Sequence, residues 1–493
     1  MANKLFVRKS LDKLLAQGDA TQNNLKRTLG PVNLVLLGIG AIIGAGLFVR
    51  TAAAAAEHAG PAVTISYIIA AVGCAFAGLC YAEFASSIPI AGSAYTYSYA
   101  TLGEFVAWII GWDLILEYAF GAATVAIAWS EYLNKLLANW NLQVPYQWCH
   151  SPFEVSDAGV HGLMNLPALL ILFLLTIILI RGTHESAVVN AVIVVIKVAI
   201  VILVIIFGWS FINPDNHQPI IPEPSVYKNP NTGISTNFGG WIGVLGGAGV
   251  VFFAFIGFDA VSTAAQESRN PKKDMPIGIL VSLLVCTILY ILFSYVLTGI
   301  ASYEDFRISG KEASVTYAIE TYMGEQFHWL ANLITVAILA GFSSVILVML
   351  LGQSRVFFSM SKDGLVPKVF SEVHRKFQTP WKSNMIFFLF VALFAAFIPG
   401  SVAGDMTSIG TLFAFVLVCA GVWIMRVRNP NMVRGFKTPL VPLIPILGIL
   451  VCTAMIFGLG WPNWARLMAW LAIGFIIYFA YSIHHSEARK GRN

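Results

Sequence analysis

Residues 38–48 read GIGAIIGAGLF, and residues 252–260 read FFAFIGFDA. Each stretch lies midway along an apolar run, 31 to about 55 and 238 to about 265, where a membrane helix ordinarily continues unbroken. Glycine destabilises a helix interior by about 1 kcal/mol relative to alanine, and lipid has no partner for backbone groups that an unwound turn releases. Irregular backbone at that depth survives only where protein or a cavity surrounds it. Two interrupted spans at corresponding places in two chain halves are the sequence mark of a transporter's substrate site.

The remainder of the chain agrees with a membrane setting. Of 493 residues, 57% are hydrophobic and 11% charged, against about 25% charged in soluble domains. Twelve apolar stretches, most of about 20 residues or more, match a hydrocarbon core of about 30 Å. They run 31–55, 61–88, 104–132, 163–181, 186–211, 238–265, 275–301, 326–360, 383–398, 403–425, 440–460 and 463–484. The expected fold is an all-α integral membrane protein of 12 transmembrane helices. One domain, 31–485, follows a segment 1–30 and precedes a tail 486–493. Gly44 and Gly257 lie 213 positions apart, a distance of five spans. A five-span unit crosses the membrane an odd number of times, so its second copy enters from the opposite face. The expectation is a 5+5 inverted repeat, about 31–211 and 238–425, with broken helices 1 and 6 and two extra helices at about 440–484.

With both termini cytoplasmic, 23 of the 30 Lys and Arg residues fall on the inner side and six on the outer, with Lys197 inside a span. That asymmetry orients a plasma-membrane protein and accounts for the net charge of +5 without any nucleic-acid partner. In the leading segment, Val7, Leu11, Leu14 and Leu15 recur at helical spacing among Arg8, Lys9 and Lys13, which suits a helix lying on the inner leaflet; a leader without order is the alternative. Five of the six cysteines lie in spans as packing residues, and only Cys149 falls in an outer loop. Cys149, His150 and His161 do not form a recognised ligand set, so no metal is expected.

The two breaks differ in the backbone groups they release. The second half of span one starts near Gly46, leaving N–H groups of Gly44, Ala45 and Gly46 at a helix N-terminus, where an anion is favoured. The first half of span six ends with free carbonyls at about Phe253 to Ile256, which accept from an ammonium. Facing each other, they form a receptor for a zwitterion. Helix packing is the competing reading, since Gly40 and Gly44 form a GxxxG pair.

GAIIGAGLF (40–48) resembles the first-helix signature of the amino acid–polyamine–organocation superfamily. FFAFIGFDAVSTAAQESRNPKKDMPIGI (252–279) is similar to the sixth-helix pattern of its cationic amino acid transporter branch, bacterial type. YAEFASSIPIAGSAYTY (81–97), GWDLILEY (111–118) and GQSRVFFSMSKDGLVPKVF (352–370) extend the resemblance over about 28–430. It implies secondary transport of L-amino acids. It also assigns the Ile42 carbonyl to the substrate amine, the Ala45 and Gly46 N–H groups to the carboxylate, and Phe253, Ala254 and Ile256 to the rest of the amine site; Ile43 and Gly44 lie within the same turn. Animal members of the branch have 14 spans, so their substrates do not transfer directly.

Lys197 lies more than ten residues from either end of span five, roughly 16 Å from the nearer boundary at 1.5 Å per residue. That depth is beyond easy snorkelling and suits a proton-coupling site facing the span-one break, as in proton-coupled relatives; a permanently paired lysine is the alternative. Glu117, with Asp113 one turn earlier, is a candidate for the cationic end of a substrate or for bonds inside the bundle. Asp259 follows the second break as a candidate cap of the resumed helix. Glu83 and Glu267 are expected in inner-gate pairs, with Arg355, Lys362 and Asp363 as partners. Ser344, Leu347 and Met349 of span eight and Thr407, Ser408 and Thr411 of span ten are candidates for side-chain selectivity.

No HExxH, GxSxG or GxxxxGK[ST] pattern occurs, so neither an enzyme nor an ATP-driven pump is expected. The reading is import of small neutral or cationic L-amino acids by proton symport, without a cofactor beyond the driving proton, in a monomer. Exchange of one amino acid for another, and a non-transporting sensor on the same scaffold, are the alternatives.

Overall fold

The computed structural model describes residues 7–9, 29–88, 93–138, 140–156, 158–181, 187–230, 233–263, 265, 268–307, 314–377 and 379–490. Among the described residues, eight helical runs are long and apolar enough to cross a membrane: Gly46–Ser87, Glu104–Ala138, Ala191–Phe211, Gly240–Ser262, Pro271–Ile300, Glu325–Lys362, Gly400–Arg428 and Trp461–His485. Shorter apolar helices cover Pro31–Ile42, Leu166–Arg181, Trp381–Phe397 and Leu443–Gly458. The run Gly46–Ser87 joins the second half of span one to span two. Span seven (Pro271–Ile300) packs along both span two and the first half of span one.

Both predicted interruptions are present. Span one opens with proline at its first position, where the missing N–H costs nothing. Its ladder runs to Ile43 N–H donating to Ile39 O at 2.9 Å, where Ile43 turns extended (φ −73°, ψ 107°). The next backbone bond, Leu47 N–H to Gly44 O at 3.2 Å, leads into the turn Gly46–Arg50. Span six narrows to a tight turn at Phe252–Phe255, is extended at Ile256, and passes through Gly257 at φ +114° before resuming at Ala260–Thr263.

The breaks meet backbone to backbone. A β-carbon on Gly46 would sit 2.2 Å from Ala254 Cα, and one on Gly257 would sit 2.8 Å from Ala41 O. Each glycine is therefore a contact point with the other break, and Gly44 packs against Val345 of span eight. Gly44, one of the GxxxG pair, thus packs against a neighbouring helix while lying inside the break.

Three features were not expected from sequence. A helix at Ser93–Thr101 follows span two, although Tyr95, Tyr97 and Tyr99 alternate as in a strand; all three are buried, so tertiary packing outweighs the local pattern. A second short helix, Ser314–Tyr322, precedes span eight. Strands β1 (Ser225–Lys228) and β2 (Ser235–Phe238) form an antiparallel hairpin before span six, pairing Ser225 with Phe238. The hairpin lies over the end of span one: Thr236 Oγ1 donates to Glu57 O at 2.8 Å, and Gly239 N–H donates to His58 O at 2.7 Å. The leader helix falls outside the described residues except at 7–9, where Val7 O accepts from Glu104 N–H at 2.9 Å.

Gly257→Ala places a side chain at a positive φ and against the Ala41 carbonyl. The variant is expected to melt several degrees below wild type in detergent. Gly30→Ala, which meets open space, is expected to melt within a degree or so of wild type.

Candidate substrate and coupling site

The breaks leave polar backbone at the centre of the helix bundle, and Lys197 and Tyr290 are among the side chains that reach it. Lys197 is buried, and its Nζ donates to Gly40 O at 3.0 Å and Ile43 O at 3.1 Å, on either side of the point where span one unwinds. Tyr290 of span seven lies within donating distance of both breaks, 3.0 Å from Ile42 O and 2.9 Å from Ala254 O. One hydroxyl proton thus serves two carbonyls that the sequence reading reserved for a substrate amine. The N–H groups of Gly44, Ala45 and Gly46 fall between the last bond of one ladder and the first of the next. Phe253 O accepts from Ile256 N–H at 3.3 Å, and the Phe253, Ala254 and Ile256 side chains are buried beside span one.

The amino acid permease family model matches residues 29–481. A branched-chain amino acid permease of Bacillus subtilis is 43% identical over 490 residues, covering 99% of this chain and all of that protein. A methylthioribose transporter of the same organism is 41% identical over 488 residues, again covering 99% of this chain and all of the relative. A vacuolar cationic amino acid transporter of Arabidopsis thaliana is 33% identical over 438 residues, 87% of this chain and 68% of that one. The chain belongs to the amino acid permease family. It is a multi-pass membrane transporter within the amino acid–polyamine–organocation superfamily, and not an enzyme.

Other candidate residues of the permease gather on spans three, six, eight and ten. Asp259 accepts from Tyr118 Oη at 2.5 Å, while the Ala260 N–H donates to Gly257 O at 3.1 Å. Glu117 is fully buried, its carboxyl facing Asp259 and Thr411 without completing a hydrogen bond. A β-carbon on Gly410 of span ten would lie 3.3 Å from Asp113 Oδ1. Met349 and Thr407 converge on Gly121 of span three, where a β-carbon would meet the Met349 sulfur at 3.0 Å and the Thr407 methyl at 3.5 Å. Ser344 and Leu347 are buried on span eight, while Thr407 and Thr411 turn their hydroxyls to the carbonyls of Ala403 and Thr407.

Glu83 pairs with arginine as expected, but not with the span-eight residues suggested as partners. Glu83 binds Arg426 through two bonds of 2.7 and 2.8 Å and Arg434 at 3.0 Å, and it also takes the Thr438 N–H. Its partners are the end of span ten and the loop beyond, because those guanidiniums reach the fully buried carboxylate. Asp363 pairs with Lys9 at 2.5 Å and accepts from Tyr95 Oη at 2.7 Å. Lys362 lies over the Phe358 ring, 4.4 Å from its centroid. Glu267 falls outside the described residues. At the opposite end, Arg50 forms an ion pair with Asp405 of span ten, which the sequence reading missed although Arg50 is an ionisable residue in an apolar span. Tyr290 and Gly341 were missed too. A β-carbon on Gly341 would lie 2.7 Å from Lys197 Cε, so the lysine stem crosses span eight at its glycine.

Gly341→Ala is expected to push the Lys197 stem off span one at little cost in stability, since the obstructing atom is near the end of a flexible side chain. Substrate uptake should fall at least tenfold while the melting temperature stays near wild type. Wild-type uptake in this variant would show that the Lys197 bonds to Gly40 and Ile43 are dispensable. Tyr290→Phe strands two buried carbonyls and should lower stability by about 1–3 kcal/mol, visible as earlier melting in detergent.

Proposed function

We propose that the permease imports neutral L-amino acids, those with aliphatic side chains first, by proton symport. The observation that carries the reading is the pair of mutually packed breaks with Lys197 bonded to one of them. Unwound backbone at the bundle centre offers N–H groups on span one and carbonyls on span six to the two charged ends of an amino acid. Recognition by main chain leaves the substrate side chain to spans three, eight and ten, where Met349 against Gly121 and Thr407 narrows the space. The full-length likeness to a branched-chain permease supports the same substrate class. Glu117 favours a second reading, a lysine- or arginine-like substrate.

In this account the chain has 12 transmembrane helices as two inverted units of five with two more appended. Its termini are cytoplasmic in the plasma membrane, and the monomer is the working unit. Lys197 carries the coupled proton. Uncharged, it bonds to the span-one carbonyls; charged, it competes with the substrate ammonium for the same backbone, so the two states favour different openings. Arg50–Asp405 ties span one to span ten on the outer side, and Lys9–Asp363 ties the leading segment to span eight on the inner side. Alternating access then requires the two ties to open in turn.

The test is uptake of labelled leucine, alanine and arginine into liposomes containing the purified permease. An inward proton gradient should raise leucine uptake several-fold over the gradient-free rate, with arginine slowest. Lys197→Ala should bind leucine and lose the pH dependence, whereas Lys197→Arg should stall, because arginine keeps its proton. Gradient-independent uptake with strong stimulation by internal amino acid would make the permease an exchanger.

A further inference from the structure

We infer that the permease holds a second, outer binding site for a zwitterionic amino acid, in a cavity between the hairpin, the end of span one and the starts of spans ten and twelve. The inference rests on the reading of the chain as an amino acid importer and adds a waiting position outside the breaks. The cavity measures about 190 Å³. At about 10–15 Å³ for each water centre, that is room for on the order of ten waters, which a small solute displaces on entry.

Both signs of charge line the space. Glu57 and Asp405 supply carboxylates and Arg466 a guanidinium, with Asn229, Asn237 and Asn463 between them. Glu57 is already engaged, accepting from Asn229 Nδ2 at 2.6 Å. Asp405 and Arg466 are joined by a single amide. Asn463 Nδ2 donates to Asp405 Oδ2 at 3.3 Å, while Asn463 Oδ1 accepts from Arg466 Nη1 at 2.6 Å. The asparagine thus presents a donor to the carboxylate and an acceptor to the guanidinium. An α-amino acid has the same polarity at higher charge: ammonium toward Asp405, carboxylate toward Arg466. The bonds to Asn463 each have one ionised partner, and a zwitterion would make both ends full ion pairs.

The position of Asp405 links this cavity to the breaks. Its other oxygen holds Arg50, which is 3% exposed and whose Nε has no hydrogen-bond partner among the described residues. An ammonium arriving at Asp405 competes with Arg50 for the carboxylate. Occupation of the outer cavity therefore loosens the tie between span one and span ten, and the site admits its own occupant toward the breaks.

The experiment compares the two faces of the membrane. In right-side-out vesicles, Arg466→Gln should raise the KM for leucine entry from outside about tenfold more than the KM for leucine efflux from inside, with Arg466→Lys restoring most of the difference. A second measurement isolates the cavity. Gly46→Val blocks the breaks by crowding Ala254; weak leucine binding should survive it in equilibrium dialysis and vanish on adding Arg466→Gln. Equal changes in both KM values, an unaltered entry KM, or the absence of residual binding in Gly46→Val would each overturn the outer site. Wild-type permease that neither binds nor moves leucine would instead overturn the importer reading on which it rests.

Discussion

A backbone group released from a helix at membrane depth has to find its partner within the protein, because lipid supplies none. That constraint organises the centre of this permease. Gly46 and Gly257 let the two interrupted helices touch main chain to main chain. Tyr290 reaches a carbonyl of each break, and Lys197 binds two more carbonyls of the first. A side chain at either glycine would collide with the backbone of the other interrupted span. Their cost to local helix stability is thus inseparable from the chemistry they permit.

In the proposed import mechanism, the same groups couple a binding event to movement. A carbonyl accepts from a tyrosine, a lysine or a substrate ammonium, and every exchange among the three redistributes bonds between spans one, five, six and seven. Because Lys197 and Tyr290 are anchored on spans five and seven, a change of partner at span one alters which helices are held together. Ion pairs add further ties, Arg50 to Asp405 of span ten and Lys9 to Asp363 at the end of span eight. Glu104 adds a further tie, accepting from Tyr99, Tyr478 and Arg489 at 2.8–3.1 Å, so the segment at Arg489 docks onto the start of span three.

Features set by one-dimensional patterns were legible in the sequence. Glycine inside an apolar run located both breaks, and a lone lysine deep in span five identified a residue that contacts the first of them. Features created by three-dimensional convergence were not legible. Tyr290 is one tyrosine among 16, and nothing in its neighbourhood marks it as spanning two breaks. Gly341 matters only because Lys197 lies across it. Glu83 was assigned to the wrong partners because several basic residues lie within sequence reach of the inner face, and only the fold selects Arg426 and Arg434. Arg50 was different: its charge within an apolar span was a signal that went unread when the basic residues were divided between the two sides. The alternating tyrosines of Ser93–Thr101 show the converse, a strand-like pattern overruled by burial.

The central claim is that the two breaks recognise the charged ends of an amino acid through the main chain. Competition against labelled leucine uptake by leucine analogues altered at one end tests it most directly. Leucine blocked at nitrogen as N-acetyl-leucine, or at the carboxylate as the methyl ester, should compete at least a hundredfold more weakly than leucine, about 2.7 kcal/mol at 1.36 kcal/mol per tenfold. Valine and isoleucine, altered only in the side chain, should compete within about tenfold of leucine. N-acetyl-leucine competing as well as leucine would contradict the account.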